Sequence, residues 1–218
     1  VSGGAVTPLS GDTVTVDTSA MTGAFADWNV GNAKTVTISG AVLGGAEAGN
    51  YSIAQPVGLV ANITARPLSV TAVTVADKTY DRTLAATLSG GAVTPLTGDT
   101  VTVVASGVSG SFADWNVGTG KSVTVSGYAL SGAQAGNYAV LQPTDVTGNI
   151  TPRSLTVSGV TAANKVYDRT VAATLSGGAI APISGDTVTL VDTYAAGVFA
   201  NWNVGTAKAV TVSGYALG

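Results

Sequence analysis

The sequence predicts an all-β protein built of tandem Ig-like antiparallel β-sandwich modules, each 87 residues long. Three observations carry this expectation. Val, Thr, Ala, Ser and Gly dominate a 218-residue chain in which only 10% of residues are charged, a composition that suits pleated strands and glycine turns rather than helices. Stretches such as Asp99-Thr100-Val101-Thr102-Val103 and Lys121-Ser122-Val123-Thr124-Val125-Ser126 alternate apolar and polar residues, the period of a half-buried strand. Finally, Trp28, Trp115 and Trp202, the only three tryptophans, stand 87 residues apart. A β-solenoid is the alternative architecture. It requires a rung of about 20–30 residues, and no such period is visible.

The repeat holds its register without an insertion. Gly11-Asp12 returns as Gly98-Asp99 and Gly185-Asp186, Tyr51 as Tyr138, Leu68 as Leu155 and Tyr80 as Tyr167. One complete module spans residues 67–153; residues 1–66 match the later part of a module and 154–218 the earlier part. The expectation is an excerpt of a longer array, with any export signal lying elsewhere.

Within the complete module, Leu68 to Val75 reads as a strand and Ala76 to Thr83 as a polar turn. Leu84 to Leu88 is a short strand closed by Ser89-Gly90-Gly91, and Pro95 to Gly98 is another turn. The alternating stretch from Asp99 follows, then the turn Phe112-Ala113-Asp114-Trp115-Asn116-Val117-Gly118. Lys121 to Leu130 alternates again, Gly136-Asn137 signals a turn before Tyr138 to Leu141, and Val146 to Thr151 is the last strand. Six or seven strands at this spacing suit a sandwich. Its expected core is Val101, Val103, Trp115, Val123, Val125, Leu130 and Tyr138.

The junctions Asn62-Ile63-Thr64-Ala65-Arg66-Pro67-Leu68 and Asn149-Ile150-Thr151-Pro152-Arg153-Ser154-Leu155 hold a proline and no Gly/Ser tract. Proline fixes φ and restricts its predecessor, so the modules are expected to form a semi-rigid rod.

Composition excludes several functions. No run of about 18 apolar residues is present, so no membrane insertion is expected. A net charge of −3 and a pI near 4.6 argue against nucleic-acid binding. The chain has no Cys and no His, which removes disulfides, the commonest general base and the commonest metal ligand. No Gly-x-Ser-x-Gly elbow, phosphate loop or paired glycosidase carboxylates occur, and an enzyme is not expected.

The Trp turn recurs as Phe25-Ala26-Asp27-Trp28-Asn29-Val30-Gly31 and Phe199-Ala200-Asn201-Trp202-Asn203-Val204-Gly205. Each Trp reads first as a core anchor. If exposed, Trp28, Trp115 and Trp202 become binding residues for sugar or peptide. Tyr80 and Asp81 read as a buried ring whose hydroxyl finds a backbone partner and a carboxylate capping a turn. If exposed, Tyr80, Asp81 and Arg82 are the other candidate binding residues.

With its surroundings, Lys78-Thr79-Tyr80-Asp81-Arg82-Thr83-Leu84-Ala85-Ala86-Thr87-Leu88-Ser89-Gly90 resembles the YDG domain of large secreted bacterial adhesins, those of filamentous-haemagglutinin-like, two-partner-secretion type. Gly98-Asp99-Thr100-Val101, Gly136-Asn137-Tyr138 and Asn149-Ile150-Thr151-Pro152 fit the same family. Arg82 and Arg169 stand where the family name carries Gly. If that Gly takes φ > 0, the turn here is expected to differ. The resemblance implies a β-rich module of a Gram-negative exoprotein, secreted or at the cell surface, and carries over no catalytic residues.

No cofactor is expected. Calcium needs several converging oxygens, whereas Asp12, Asp99 and Asp186 each stand alone in sequence. A Ca²⁺ site at a module junction, drawing on Asp145 or Asp77, stays open. So does a Lys-to-Asn crosslink from Lys34, Lys121 or Lys208 to Asn29, Asn116 or Asn203, which needs a buried carboxylate. The leading functional expectation is a stalk that projects a distal binding element, its partners being neighbouring repeats. The alternative is direct binding of host glycan, matrix protein or like modules, in adhesion or biofilm. Trp115 separates them: burial favours the stalk, exposure favours binding.

Overall fold

The computed structural model describes residues 3–218. The chain is all-β, and among the described residues its only helical pieces are two three-residue 3₁₀ turns, Ala48–Asn50 and Ala135–Asn137. Antiparallel ladders dominate, in keeping with a sandwich-like all-β fold. Compactness divides the chain into two units: residues 1–74, 88–110 and 125–146 make the first, and 75–87, 111–124 and 147–218 the second.

In the first unit, Thr102–Val104 pairs antiparallel with Ala129–Ser131, while Tyr138–Leu141 pairs in parallel with Arg66–Ser69. Between these ladders Leu68, Val101 and Tyr138 form a buried cluster, with Val93, Leu130 and Ala135 packed against it. Alternation holds as the sequence implies: Val101 and Val125 are buried, and Thr100, Thr102 and Ser126 face solvent. The Tyr138 hydroxyl, at the edge of this cluster, donates to Asp99 Oδ2 at 2.6 Å and accepts from the Leu96 N–H at 2.9 Å. The equivalent Tyr51 donates to Asp12 Oδ2 at 2.6 Å and accepts from Leu9 at 3.0 Å. A tyrosine thus buries its ring and satisfies its hydroxyl against a turn.

In the second unit, Thr147–Thr151 lies between Gly118–Ser126, antiparallel, and Lys78–Thr79, parallel. Phe112 and Ile150, each 2% exposed, are its most buried side chains. Gly148 is required here, because a Cβ would come within 2.6 Å of Val75 and 3.2 Å of the Phe112 ring.

The Gly118–Ser126 ladder shifts register between Gly118 and Lys121. This bulge is pinned from the last strand, where Asn149 Oδ1 accepts the Gly120 N–H at 2.8 Å and Asn149 Nδ2 donates to Asp77 at 2.9 Å. The recurrent Asn-Ile-Thr motif is thereby explained: its Asn holds the bulge and its Ile fills the core. In the first repeat Asn62 accepts from Ala33 in the same way, at 2.8 Å. A bulge re-aims the side chain that follows it, here Lys121 or Lys34.

Trp115 departs from the expected core. It is 43% exposed, and the buried aromatic of its turn is Phe112, three residues earlier. The strands also run further than expected. Leu88–Ala92 continues through Ser89-Gly90-Gly91, and Ser109–Phe112 and Lys78–Thr79 are strands where none was read.

Candidate functional site: three turns at the repeat junctions

Three recurrent turns carry the chain's polar side chains. The first is the Trp turn. Asp114 Oδ1 accepts the Asn116 N–H at 2.8 Å and the Lys121 ammonium at 2.7 Å. An Asp that accepts from the residue two places on makes an Asx turn. Trp115 then sits at the apex of the turn. The first repeat repeats this with Asp27, Asn29 and Lys34, and Lys34 also donates to the Asn29 carbonyl at 2.8 Å. In the third repeat Asn201 replaces the Asp, accepting from Asn203 at 3.0 Å and from Lys208. The lysine ammonium beside Asp27 and Asp114 holds both carboxyls below their ordinary value. Trp28, Trp115 and Trp202 are 80%, 43% and 59% exposed. This exposure corrects the core-anchor reading and meets the condition set for binding residues.

The second is the Tyr-Asp-Arg turn. Asp81 Oδ1 accepts both the N–H and the hydroxyl of Thr83 at 2.8 Å and faces Lys78 at 2.7 Å. Lys78 completes the turn by donating to the carbonyls of Thr83 and Ala85. Asp81 is therefore the cap the sequence suggests, and the lysine holds its carboxyl down to about 2. Asp168, Thr170 and Lys165 reproduce the arrangement, and Asp168 likewise lies near 2. Arg82 has φ +63° and Arg169 φ +65°, so the turn keeps the left-handed conformation that a glycine would take. The expected change of turn does not occur. Instead an arginine bears the strain, of order 1–2 kcal/mol.

The third is the Gly-Asp turn, and here the chemistry crosses between repeats. The Tyr80 hydroxyl donates not to a backbone group, as expected, but to Asp186 Oδ1 at 2.7 Å, 106 residues on. That carboxylate beside it raises the Tyr80 pKa. Arg82 Nη1 donates to the Ser184 carbonyl at 2.8 Å and lies 3.6 Å from Asp186. An equivalent hand-over joins the first and second repeats: the Val30 N–H donates to Asn137 Oδ1 at 2.9 Å, and Asn137 Nδ2 donates to Asn29 Oδ1 at 3.1 Å. Of the residues singled out from sequence, Tyr80 and Arg82 meet at one junction, Asp81 stays within its own turn, and Trp28 stands beside the Asn29–Asn137 contact. Ser184 and Asn137 were missed as junction residues. Their turns recur visibly in the sequence, but nothing in a periodic pattern says that they face the preceding repeat.

Asp12, Asp99 and Asp186 hold tyrosines, Asp77 holds Asn149, and Asp145 takes the Thr144 hydroxyl. Among the described residues no three Asp or Glu side chains converge and no charged residue is buried. No described helix is long and apolar enough to cross a membrane.

Fold and turns together define a class: tandem β repeats that pass side chains from one repeat to the next. Within that class the chain belongs to the YDG domain family, which matches residues 1–58, 64–147 and 151–218. No curated protein and no solved structure matches it significantly.

Proposed function

We propose that these repeats are non-catalytic spacers of a Gram-negative secreted or cell-surface adhesin of filamentous-haemagglutinin-like type, holding a distal binding element away from the cell. One observation carries the reading: Tyr80 and Arg82 of one repeat are anchored on Ser184 and Asp186 of the next. Side chains committed to a neighbouring repeat restrict the hinge between them, and a spacer needs restricted hinges to hold distance. YDG membership and the shortage of charge fit the same role. The partners are then neighbouring repeats, with neither nucleic acid nor membrane insertion. Small-angle scattering of the 218-residue chain tests it. An elongated particle of constant cross-section is expected, and a compact globule overturns the proposal.

By the criterion set from the sequence, the exposure of Trp115 counts against the stalk and for a second reading, in which the repeats themselves bind host glycan, matrix protein or like modules. A flat aromatic at fixed intervals suits sugar or peptide stacking. Replacing Trp28, Trp115 and Trp202 by Ala would abolish glycan or matrix binding under this reading and leave it unaltered under the first.

A further inference from the structure

Two parallel ladders join the leading strands of the complete repeat to its trailing strands, each ladder within one compact unit. The first leading strand, Arg66–Ser69, runs beside Tyr138–Leu141, from Arg66 matched with Tyr138 to Ser69 matched with Leu141. Val70 extends this ladder by donating its N–H to the Leu141 carbonyl at 3.0 Å. Peptide groups alternate sides along a strand, so the nitrogen of Pro67 faces away from Tyr138–Leu141 and the proline removes no bond from the ladder. Further on, Lys78–Thr79 runs beside the end of the trailing strand, with Ile150 matching Lys78 and Thr151 matching Thr79. There the Tyr80 N–H donates to the Thr151 carbonyl at 2.9 Å, and the Thr151 hydroxyl to the Lys78 carbonyl at 3.3 Å.

Parallel pairing fixes how these ladders meet tension. The repeat begins with Arg66 and ends with Thr151, so a pull along the chain draws each leading strand backward and each trailing strand forward. Two parallel strands drawn in this way slide past each other, and the bonds between them bear the load together. An antiparallel hairpin pulled at its two adjacent free ends opens one bond at a time instead. Forced unfolding is governed by the height of the unfolding barrier, and breaking several bonds at once raises that barrier above breaking one. The strands are anchored as well. Leu68, Val70, Tyr138 and Ile150 are buried, so sliding also brings apolar surface into water. The Tyr138 hydroxyl is tied to Asp99 and Leu96, and the Lys78 ammonium to the carbonyls of Thr83 and Ala85. Load passes directly from repeat to repeat, because only Thr64 and Ala65 separate Val60–Ile63, the last strand of the preceding repeat, from Arg66–Ser69.

We propose that the repeat is a tension-bearing module, with Arg66–Ser69 against Tyr138–Leu141 and Lys78–Thr79 against Thr147–Thr151 as its two shear clamps. The clamps deepen the spacer reading, on which their use rests: a spacer between a cell and an attached surface is pulled at both ends, and the clamps hold its length under that load. The Asn-Ile-Thr motif then serves three purposes. Asn149 pins the bulge, Ile150 fills the core, and Thr151 closes the second clamp.

Single-molecule pulling in two directions tests the clamps on the 218-residue chain, which has no cysteine of its own to compete for the handles. Handles at Thr64→Cys and Pro152→Cys load the repeat lengthwise. Handles at Thr64→Cys and Gly136→Cys pull the two starting ends of the first parallel pair apart and peel it. Thr64 and Pro152 are exposed, and a side chain at Gly136 meets nothing within 4 Å. Matching far-ultraviolet dichroism of the variants establishes that only the direction of pull differs. The lengthwise pull should rupture in one step at a force severalfold above peeling and release about 300 Å of chain, the extended length of residues 66–151. Moving the second handle from Gly136 to the exposed Thr144, past the other end of the same strand, should restore the high force. Equal forces in the two directions overturn the clamps; if scattering still finds an elongated particle, the spacer reading stands without them. A strong lengthwise rupture in a particle that scattering finds compact keeps the clamps and removes the spacer.

Discussion

Phe25 and Phe112 hold the same place in successive repeats, yet Phe25 is 40% exposed and Phe112 2%. The sequences around them are nearly identical, so the difference lies in what flanks them. Phe112 has Gly148 of the last strand on one side and Lys78 near its ring on the other. Phe25 lies in a three-stranded sheet with Gly31–Ser39 and Val60–Ile63, whereas the sheet of Phe112 has five strands, its outer two being Lys78–Thr79 and Ala85–Ala86. The ring in the wider sheet is the buried one. Burial here is a property of the surrounding sheet, not of the residue.

The largest effect should come from removing the ring. Phe112→Ala is expected to cost about 3–5 kcal/mol, as for a fully packed aromatic. Phe25→Ala should cost about 1 kcal/mol, since much of its area is already in water. Urea unfolding of each variant reads the difference, and equal costs would show that the wider sheet does not decide burial.

The all-β class, the repeat and the alternating Val/Thr faces were legible because period-2 patterning and an 87-residue return are local signals. The fate of Trp115 was not. Size and hydrophobicity point a tryptophan inward, but the Asp114–Asn116 turn fixes the backbone so that residue 115 is the apex. Turn chemistry overrode hydrophobicity, and Phe112 took the core. Nor could the sequence show Leu88–Ala92 as a strand through two glycines. Gly90 has φ +81°, and a Cβ there would lie 2.2 Å from the Ala72 carbonyl, so those glycines serve a close strand approach that resembles a turn on paper. The junction partners were illegible for another reason: Tyr80 meets a residue 106 positions away, and periodicity reports equivalence, not proximity.

Comparing Tyr138 with Tyr80 separates packing within a repeat from packing between repeats. Tyr138→Phe leaves Asp99 Oδ2 and the Leu96 N–H without their partner and should cost about 2 kcal/mol. Tyr80→Phe should cost about 1 kcal/mol and register mainly as altered hinge motion, measurable by fluorescence transfer between dyes on neighbouring repeats. Both tyrosines have pKa values raised, Tyr138 by the Asp99 carboxylate and Tyr80 by Asp186. A raised folded pKa means that the stabilisation is present below the ordinary tyrosine value near 10 and is lost as pH climbs through the folded value.

Arg82 and Arg169 refine the junction further. Both bear left-handed strain, but only Arg82 has a described partner in the next repeat. Arg169→Gly should be neutral or stabilising by up to about 1 kcal/mol, strain relief set against the added freedom of glycine in the unfolded chain. Arg82→Gly relieves the same strain and loses the Ser184 contact, so the difference between the two melting shifts isolates that contact. Identical shifts would mean the contact contributes nothing.

The smallest effect compares the three Trp turns by acid titration. Asp27 and Asp114 are held below their ordinary value near 3.8 by Lys34 and Lys121. A depressed folded pKa contributes stability that is present above the unfolded value and lost as pH falls through the folded one. Both turns should therefore loosen on acidification below about pH 3.8. The third turn has Asn201 in the same place, with Lys208 donating to its amide oxygen, and an amide does not titrate there. The indole N–H resonances of Trp28 and Trp115 should accordingly shift as pH falls below about 3.8, while that of Trp202 stays fixed. Asp81 and Asp168, held down to about 2 by their lysines, sit in other turns. If all three indoles move together, the lysine–carboxylate pair is not what sets the apex.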